Sequence, residues 1–168
     1  MSSTYMLLTL ILKGITYSKF ESALKKQNIA YAALETKPSP LNAILWTANV
    51  ETEGAFLIGD YSFFDTKPIQ FSSHPKNHDA LGDFAEEDKV KRLIKITKGW
   101  YTVSEREDGV YLNDLRFGMI SVDPNSEKFA FSFLIEKKEN EVTVTEEEKD
   151  TREARKLFSD LWTRIKGN

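Results

Sequence analysis

His74 and His78 stand four residues apart with Asp79 beside the second, a spacing that on a helix would put two imidazoles and a carboxylate within reach of one metal ion. Pro75 and its turn-like surroundings spoil a helical face, so both histidines read as exposed loop residues and no metal site is expected in this chain. A second constellation is VYLNDLRFG, Val110 to Gly118. On a strand, Val110, Leu112, Asp114 and Arg116 share one face and Tyr111, Asn113, Leu115 and Phe117 the other. An Asp and an Arg so placed have two uses. They form an ion pair that fixes strand register or ties down a loop, or they present a ligand-facing guanidinium with Asp114 as base or orienter. A third segment, GDYSFFD at Gly59 to Asp65, places Asp60 and Asp65 near a turn, where aspartates ordinarily cap or meet water. Phosphate-cradling glycine loops, a Gly-x-Ser-x-Gly elbow and a His-Glu-x-x-His pair do not occur. With no cysteine, thiol catalysis, iron–sulfur clusters and thiolate-bound zinc are excluded as well.

The elements that must position these residues follow from periodicity. Tyr5 to Leu12, YMLLTLIL, is almost wholly apolar, but Lys13 ends the run well short of the ~20 residues a spanning helix needs. No basic residue precedes it and no small-residue cleavage site follows, so it does not read as a signal peptide. Helical spacing links Tyr5, Leu8, Leu12, Ile15, Phe20 and Leu24 in a drifting stripe, with Lys13, Lys19, Lys25 and Lys26 off it. The N-terminal helix, 1–27, is therefore either a core-docking helix or the continuation of a membrane span.

Pro38 and Pro40 force an extended segment after it, and Ala43 to Glu51 and Ala55 to Phe64 alternate as a hairpin around ETEG. Ile69 to Ser72 is a short extended piece. A helical period over Leu81 to Thr97 is split at Gly82 and closed at Gly99. Trp100 to Glu105 and Val110 to Ile120 form a second hairpin around REDG, and Asp123 to Glu127 is a further turn. KFAFSFLIEK puts Phe129, Phe131, Phe133 and Ile135 on one face. Glu141 to Thr145 is a last strand, and Thr151 opens a final helix with Ala154, Leu157, Phe158, Leu161, Trp162 and Ile165 on one stripe. Hairpins rather than crossovers join most strands. The expected fold class is α+β: a mostly antiparallel sheet of hairpins with N-terminal, middle and C-terminal helices packed on it, in one domain over 1–168.

Composition agrees with a globular chain. Its 168 residues are 40% apolar and 29% charged, enough to bury about 70% of the unfolded surface without a disulfide or metal staple. The net charge of −3 offers no broad basic field, so nucleic acid is not an expected partner and no lipid-binding patch stands out.

Five segments occur in an order that resembles a known family: PSPLNAILW (Pro38 to Trp46), GDYSFFD (Gly59 to Asp65), KGWYTV (Lys98 to Val103), YLNDLRFG (Tyr111 to Gly118) and FAFSF (Phe129 to Phe133). They resemble the C-terminal extramembrane region of the bacterial membrane-bound predicted metal-dependent hydrolases, inner-membrane proteins related to the LexA-binding hydrolase. The likeness runs from the first helix to Phe133. It implies several membrane-spanning helices ahead of this region, carrying the His and Asp residues thought to bind a divalent metal. Those helices are not in this sequence, so the resemblance implies a cofactor for the parent protein and none for this chain. The expected partner is the transmembrane part of the parent chain, and the expected location is at a membrane through that parent. Tyr5 to Leu12 looks like the tail of the last span or the helix just after it.

The motif residues Asn42, Trp46, Tyr61, Asp65, Asp114 and Arg116 are candidates either to line one recognition surface or to hold the fold. Three functions remain open. They are an accessory domain that positions substrate or regulates a membrane hydrolase, a self-contained hydrolase with a carboxylate-based site, and a partner-binding module without chemistry.

Overall fold

The computed structural model describes residues 2–39, 42–119, 128–138, 141–148 and 159–167. Its elements run α1 (Ser2–Lys26), β1 (Ala33–Pro38), β2 (Leu45–Glu51), β3 (Ala55–Ser62), β4 (Phe71–Pro75), a 3-10 helix (His78–Glu86), α2 (Asp88–Thr97), β5 (Tyr101–Arg106), β6 (Gly109–Met119), β7 (Phe129–Lys138) and β8 (Glu141–Glu146). A C-terminal helix is described over 159–165. The fold is α+β, as the hairpin pattern leads one to expect. Its strands divide between two four-stranded sheets, β1-β2-β3-β4 and β5-β6-β7-β8, each a meander of sequence neighbours. The chain separates into two compact units, Met1–Ser73 with Ser159–Asn168, and His74–Phe158.

In the first unit α1 supplies the core from its second half. Phe20, Leu24, Trp46, Ala48, Val50 and Ile69 form one buried cluster, and sealing a side chain the size of Phe20 or Leu24 contributes about 1.5–3 kcal/mol. Thr16, also fully buried, satisfies its hydroxyl by donating to the Leu12 and Lys13 carbonyls 3.0 and 3.1 Å away. The helix ends where Asn28 takes a left-handed φ of 54°. Ile29 N then donates to the Leu24 carbonyl, which closes the last turn in the manner of a Schellman ending.

The expected stripe holds only for this second half. Leu8 and Ile15, placed on the stripe by spacing, are 52% and 42% exposed, while Phe20 and Leu24 are buried. The reason is that residues 5–12 are apolar all round, so periodicity has no polar side there against which to define a face.

In the second unit the 3-10 helix and α2 lay Leu81, Val90 and Leu93 against Tyr101, Val103, Leu112, Ile135 and Val142 of the sheet. Gly82, with φ 47° and ψ −132°, breaks the helical run at the position where its weak propensity marks a split. Lys98 and Gly99, both at positive φ, turn the chain from α2 into β5. The turn expected at Asp123–Glu127 lies outside the described residues, as does most of the stripe from Ala154 to Phe158. Trp162, expected on that stripe's buried side, is 63% exposed. Among the described residues no helix is long and apolar enough to cross a membrane.

Candidate functional site

Asp114 sits in β6 opposite Tyr101 of β5 and Phe131 of β7. The pairing of β6 with β7 breaks between Asp114 and Met119, and Gly118 takes a φ of 77°, the geometry of a bulge that re-aims side chains. Across this irregularity Arg116 turns back on its own strand. Its Nε donates to both Asp114 oxygens at 3.1 and 3.2 Å, its Nη2 donates to Oδ2 at 2.7 Å, and its backbone N–H donates to Oδ1 at 2.9 Å. The Asp114 side chain is 4% exposed and that of Arg116 25%. The hydrogen bond with Asp114 holds the guanidinium above its ordinary pKa, so it stays charged. Of the two uses the sequence leaves open, this geometry is that of an ion pair tying down a strand irregularity.

The first unit contains a second pair of the same kind. Asp65 follows β3 in a turn, where its Oδ2 accepts from Ser62 N at 2.9 Å while its own N–H donates to the Ser62 carbonyl. Arg164, from the C-terminal helix, grips Asp65 with Nη1 on Oδ1 at 2.6 Å and Nη2 on Oδ2 at 2.7 Å, and Nη2 also donates to the Asp60 carbonyl at 3.0 Å. Ser62 Oγ donates to the Ile165 carbonyl at 2.6 Å. Next to this clamp, Asp60 accepts a 2.6 Å hydrogen bond from Thr47 Oγ1 across β2 and β3. Burial pushes the Asp60 carboxyl above its usual range, against the pull of the Thr47 hydrogen bond and the Arg164 charge. Burial, reinforced by the Asp65 carboxylate, likewise raises the Tyr61 phenol.

The remaining candidates serve the same end of the β2–β3 hairpin. Asn42 Oδ1 accepts from Ile44 N and Leu45 N at 2.9 and 2.7 Å, which starts β2 after the proline turn. Trp46 is buried and donates its indole N–H to the Ala43 carbonyl at 3.0 Å. Tyr61, the Cα partner of Trp46, packs edge-on against Phe20 and Phe63. Asn42, Trp46, Tyr61 and Asp65 thus belong to the first unit, and Asp114 and Arg116 to the second. Arg164 and Thr47 escape sequence reasoning. Arg164 lies 99 positions from Asp65, and nothing in its local spacing names its partner.

The histidines are engaged structurally. His74, expected exposed in a loop, instead lies buried in β4, where it packs edge-on against Phe129 with ring centroids 5.5 Å apart. His78 stacks on Tyr101 at 4.1 Å, and its Nε2 lies 2.9 Å from the Tyr101 carbonyl, which makes Nε2 the protonated ring nitrogen. Among the described residues no three His, Asp or Glu side chains are grouped to hold a metal ion. The oxygens of Asp65 and Asp114 are taken by guanidinium groups, so these residues do not fit the divalent metal that the family resemblance implies for a parent protein.

Fold and site together define an α+β protein of two antiparallel meanders, each holding a buried aspartate–arginine pair. A scan against protein-family models gives no match, and searches of curated proteins and of solved structures give no significant match.

Proposed function

We propose that this chain is the extramembrane accessory domain of a membrane-bound, metal-dependent hydrolase, positioning substrate for, or regulating, a catalytic part carried by transmembrane helices of its parent protein. The observation that supports this reading is the first half of α1. Met6, Leu7, Leu8, Leu10 and Ile11 are each more than half exposed. At about 100° per residue these positions span about 200° of the helix circumference, while Leu12 on the other side packs against the core of the first unit. So wide an exposed apolar face belongs against an apolar surrounding, and a membrane or a bundle of spanning helices supplies one. The two buried aspartates, closed by arginines, fit a domain whose polar groups hold shape rather than move protons.

The test is flotation of the purified chain with lipid vesicles. It is expected to float, and Leu7→Glu with Leu10→Glu is expected to leave it at the bottom of the gradient with its fold intact. A wild-type chain that stays at the bottom contradicts the reading. The same exposed helix favours a second reading, a partner-binding module without chemistry. Flotation unaffected by the two glutamates, together with a protein captured only by the unsubstituted helix, would favour that reading.

A further inference from the structure

The long helices of this fold are held by side chains they seal from water: α1 buries Phe20 and Leu24, and α2 buries Val90 and Leu93. The C-terminal helix is held differently. Across 159–167 no residue is buried, and Leu161, Arg164 and Ile165 are only half-buried. Its ties to the first unit are polar: the Arg164 guanidinium on Asp65 and on the Asp60 carbonyl, and the Ile165 carbonyl accepting from Ser62 Oγ. An element that seals little apolar surface opens locally, well below the free energy of unfolding the whole chain.

The receiving side is shaped without the helix. The oxygens that Arg164 grips, Asp65 Oδ1 and Oδ2 and the Asp60 carbonyl, all come from the end of β3 and the turn that follows it. Ser62 N–H donates to Asp65 Oδ2 at 2.9 Å, Asp65 N–H to the Ser62 carbonyl at 3.0 Å, and Phe64 N–H to Ser62 Oγ at 3.2 Å, so the turn aims its own carboxylate. Asp60 is fixed by its register opposite Thr47 on β2. The Asp114–Arg116 pair is the contrast. There the arginine stands two residues from its partner and gives its own backbone N–H to the same carboxylate, so no separate segment can leave and vacate it.

We infer that the turn from Asp60 to Asp65 is a binding site for a guanidinium group, and that the C-terminal helix is its built-in, displaceable occupant. An arginine carried by a partner segment competes with Arg164 for the same oxygens, and the helix is released when it wins. The inference goes beyond the membrane reading and does not rest on it. Chain order permits the exchange, because 159–168 returns to the first unit only after the whole of the second, His74–Phe158. Releasing it therefore leaves the β2–β3 hairpin and its turn connected as before. The oxygens select the cation. A guanidinium presents coplanar N–H groups that meet both carboxylate oxygens and the carbonyl at once, whereas a lysine ammonium brings the same charge without that fork.

Titration of the full chain with N-acetyl-arginine amide, followed by amide NMR, gives the test, with N-acetyl-lysine amide as the charge-matched control. In the wild type the signals of Thr163 to Lys166 are expected to move toward their disordered positions while those of α2 and β5 to β8 hold. This readout needs no variant. The Arg164→Ala chain, its fold checked by the β2 and β3 signals, is expected to bind the arginine amide about tenfold more tightly, because the site no longer has to be vacated first. The signals that shift there are expected to be those of Asp60 to Asp65, and adding Asp65→Asn is expected to abolish the binding. A folded Arg164→Ala chain that does not bind the arginine amide overturns the site. Binding to that variant with an unmoved wild-type helix, at about ten times the concentration that saturates the variant, shows a permanent clamp and overturns the displacement. An equal response to the lysine amide overturns the guanidinium assignment.

Discussion

Arg164 and Asp65, 99 positions apart in sequence, meet in a two-pronged ion pair with N–O distances of 2.6 and 2.7 Å, and the arginine also reaches the Asp60 carbonyl. The pair joins the end of the chain to the turn that closes β3. Ser62 Oγ, donating to the Ile165 carbonyl at 2.6 Å, ties the same two segments a second time.

Breaking that pair should cost stability. The Asp65 side chain is 2% exposed and that of Arg164 18%, so Asp65→Ala leaves a guanidinium mostly out of water, at a cost of about 3 kcal/mol. Urea unfolding of the two single variants and the double variant checks this. The double variant is expected to lose less than the two singles added together, and simple additivity would argue that the contact contributes nothing of its own.

The Asp114–Arg116 pair gives a parallel expectation with a functional edge. Asp114→Ala should destabilise the second unit by about 3 kcal/mol and disorder the bulge before Met119. On the proposed reading, its effect on the turnover of a parent hydrolase follows the loss of folded domain. A variant that stays fully folded yet abolishes turnover would make Asp114 a catalytic group and contradict the account.

Asp60 predicts a pH dependence whose sign is definite. Its carboxyl is raised above the ordinary 3.8 chiefly by burial, so the folded state favours the protonated form. That contribution is fully present below the unfolded pKa and is lost as pH rises through the folded one. Asp60→Asn keeps an acceptor for Thr47 and removes the buried charge. It should therefore raise the melting temperature at neutral pH, with the difference from wild type shrinking as pH falls toward about 4. A difference that widens on acidification would show the charged form to be the favoured one.

Gly167 has a φ of 94°, and a Cβ there would collide with the backbone of Phe64. Gly167→Ala should loosen the C-terminal helix by about 1–2 kcal/mol. Faster hydrogen exchange at Thr163 to Lys166, with β5 to β8 unchanged, is the expected reading, and unchanged protection would contradict it.

How much of this was legible depended on whether the governing contacts were local. The alternation in Ala43–Glu51 and Ala55–Phe64 and the Gly82 break are written in neighbouring residues, and the structure follows them closely. The partition of strands between two sheets is not, because hairpin periodicity is the same whichever sheet the next hairpin joins. The Asp114–Arg116 pairing could be read as one of two uses, since residues two apart on a strand share a face. Arg164 could not be read at all, because its partner is set by tertiary folding. On α1 the signal misled: a nearly unbroken apolar run mimics a buried stripe, yet among the described side chains of the helix only Thr16, Phe20 and Leu24 reach full burial.

The central claim is that this domain serves a membrane-borne hydrolase, and the most direct test is to read the genomic DNA in frame upstream of the Met1 codon. The account predicts several hydrophobic stretches of about 20 residues carrying His and Asp ahead of Met1. A stop codon and a ribosome-binding site immediately upstream would contradict it.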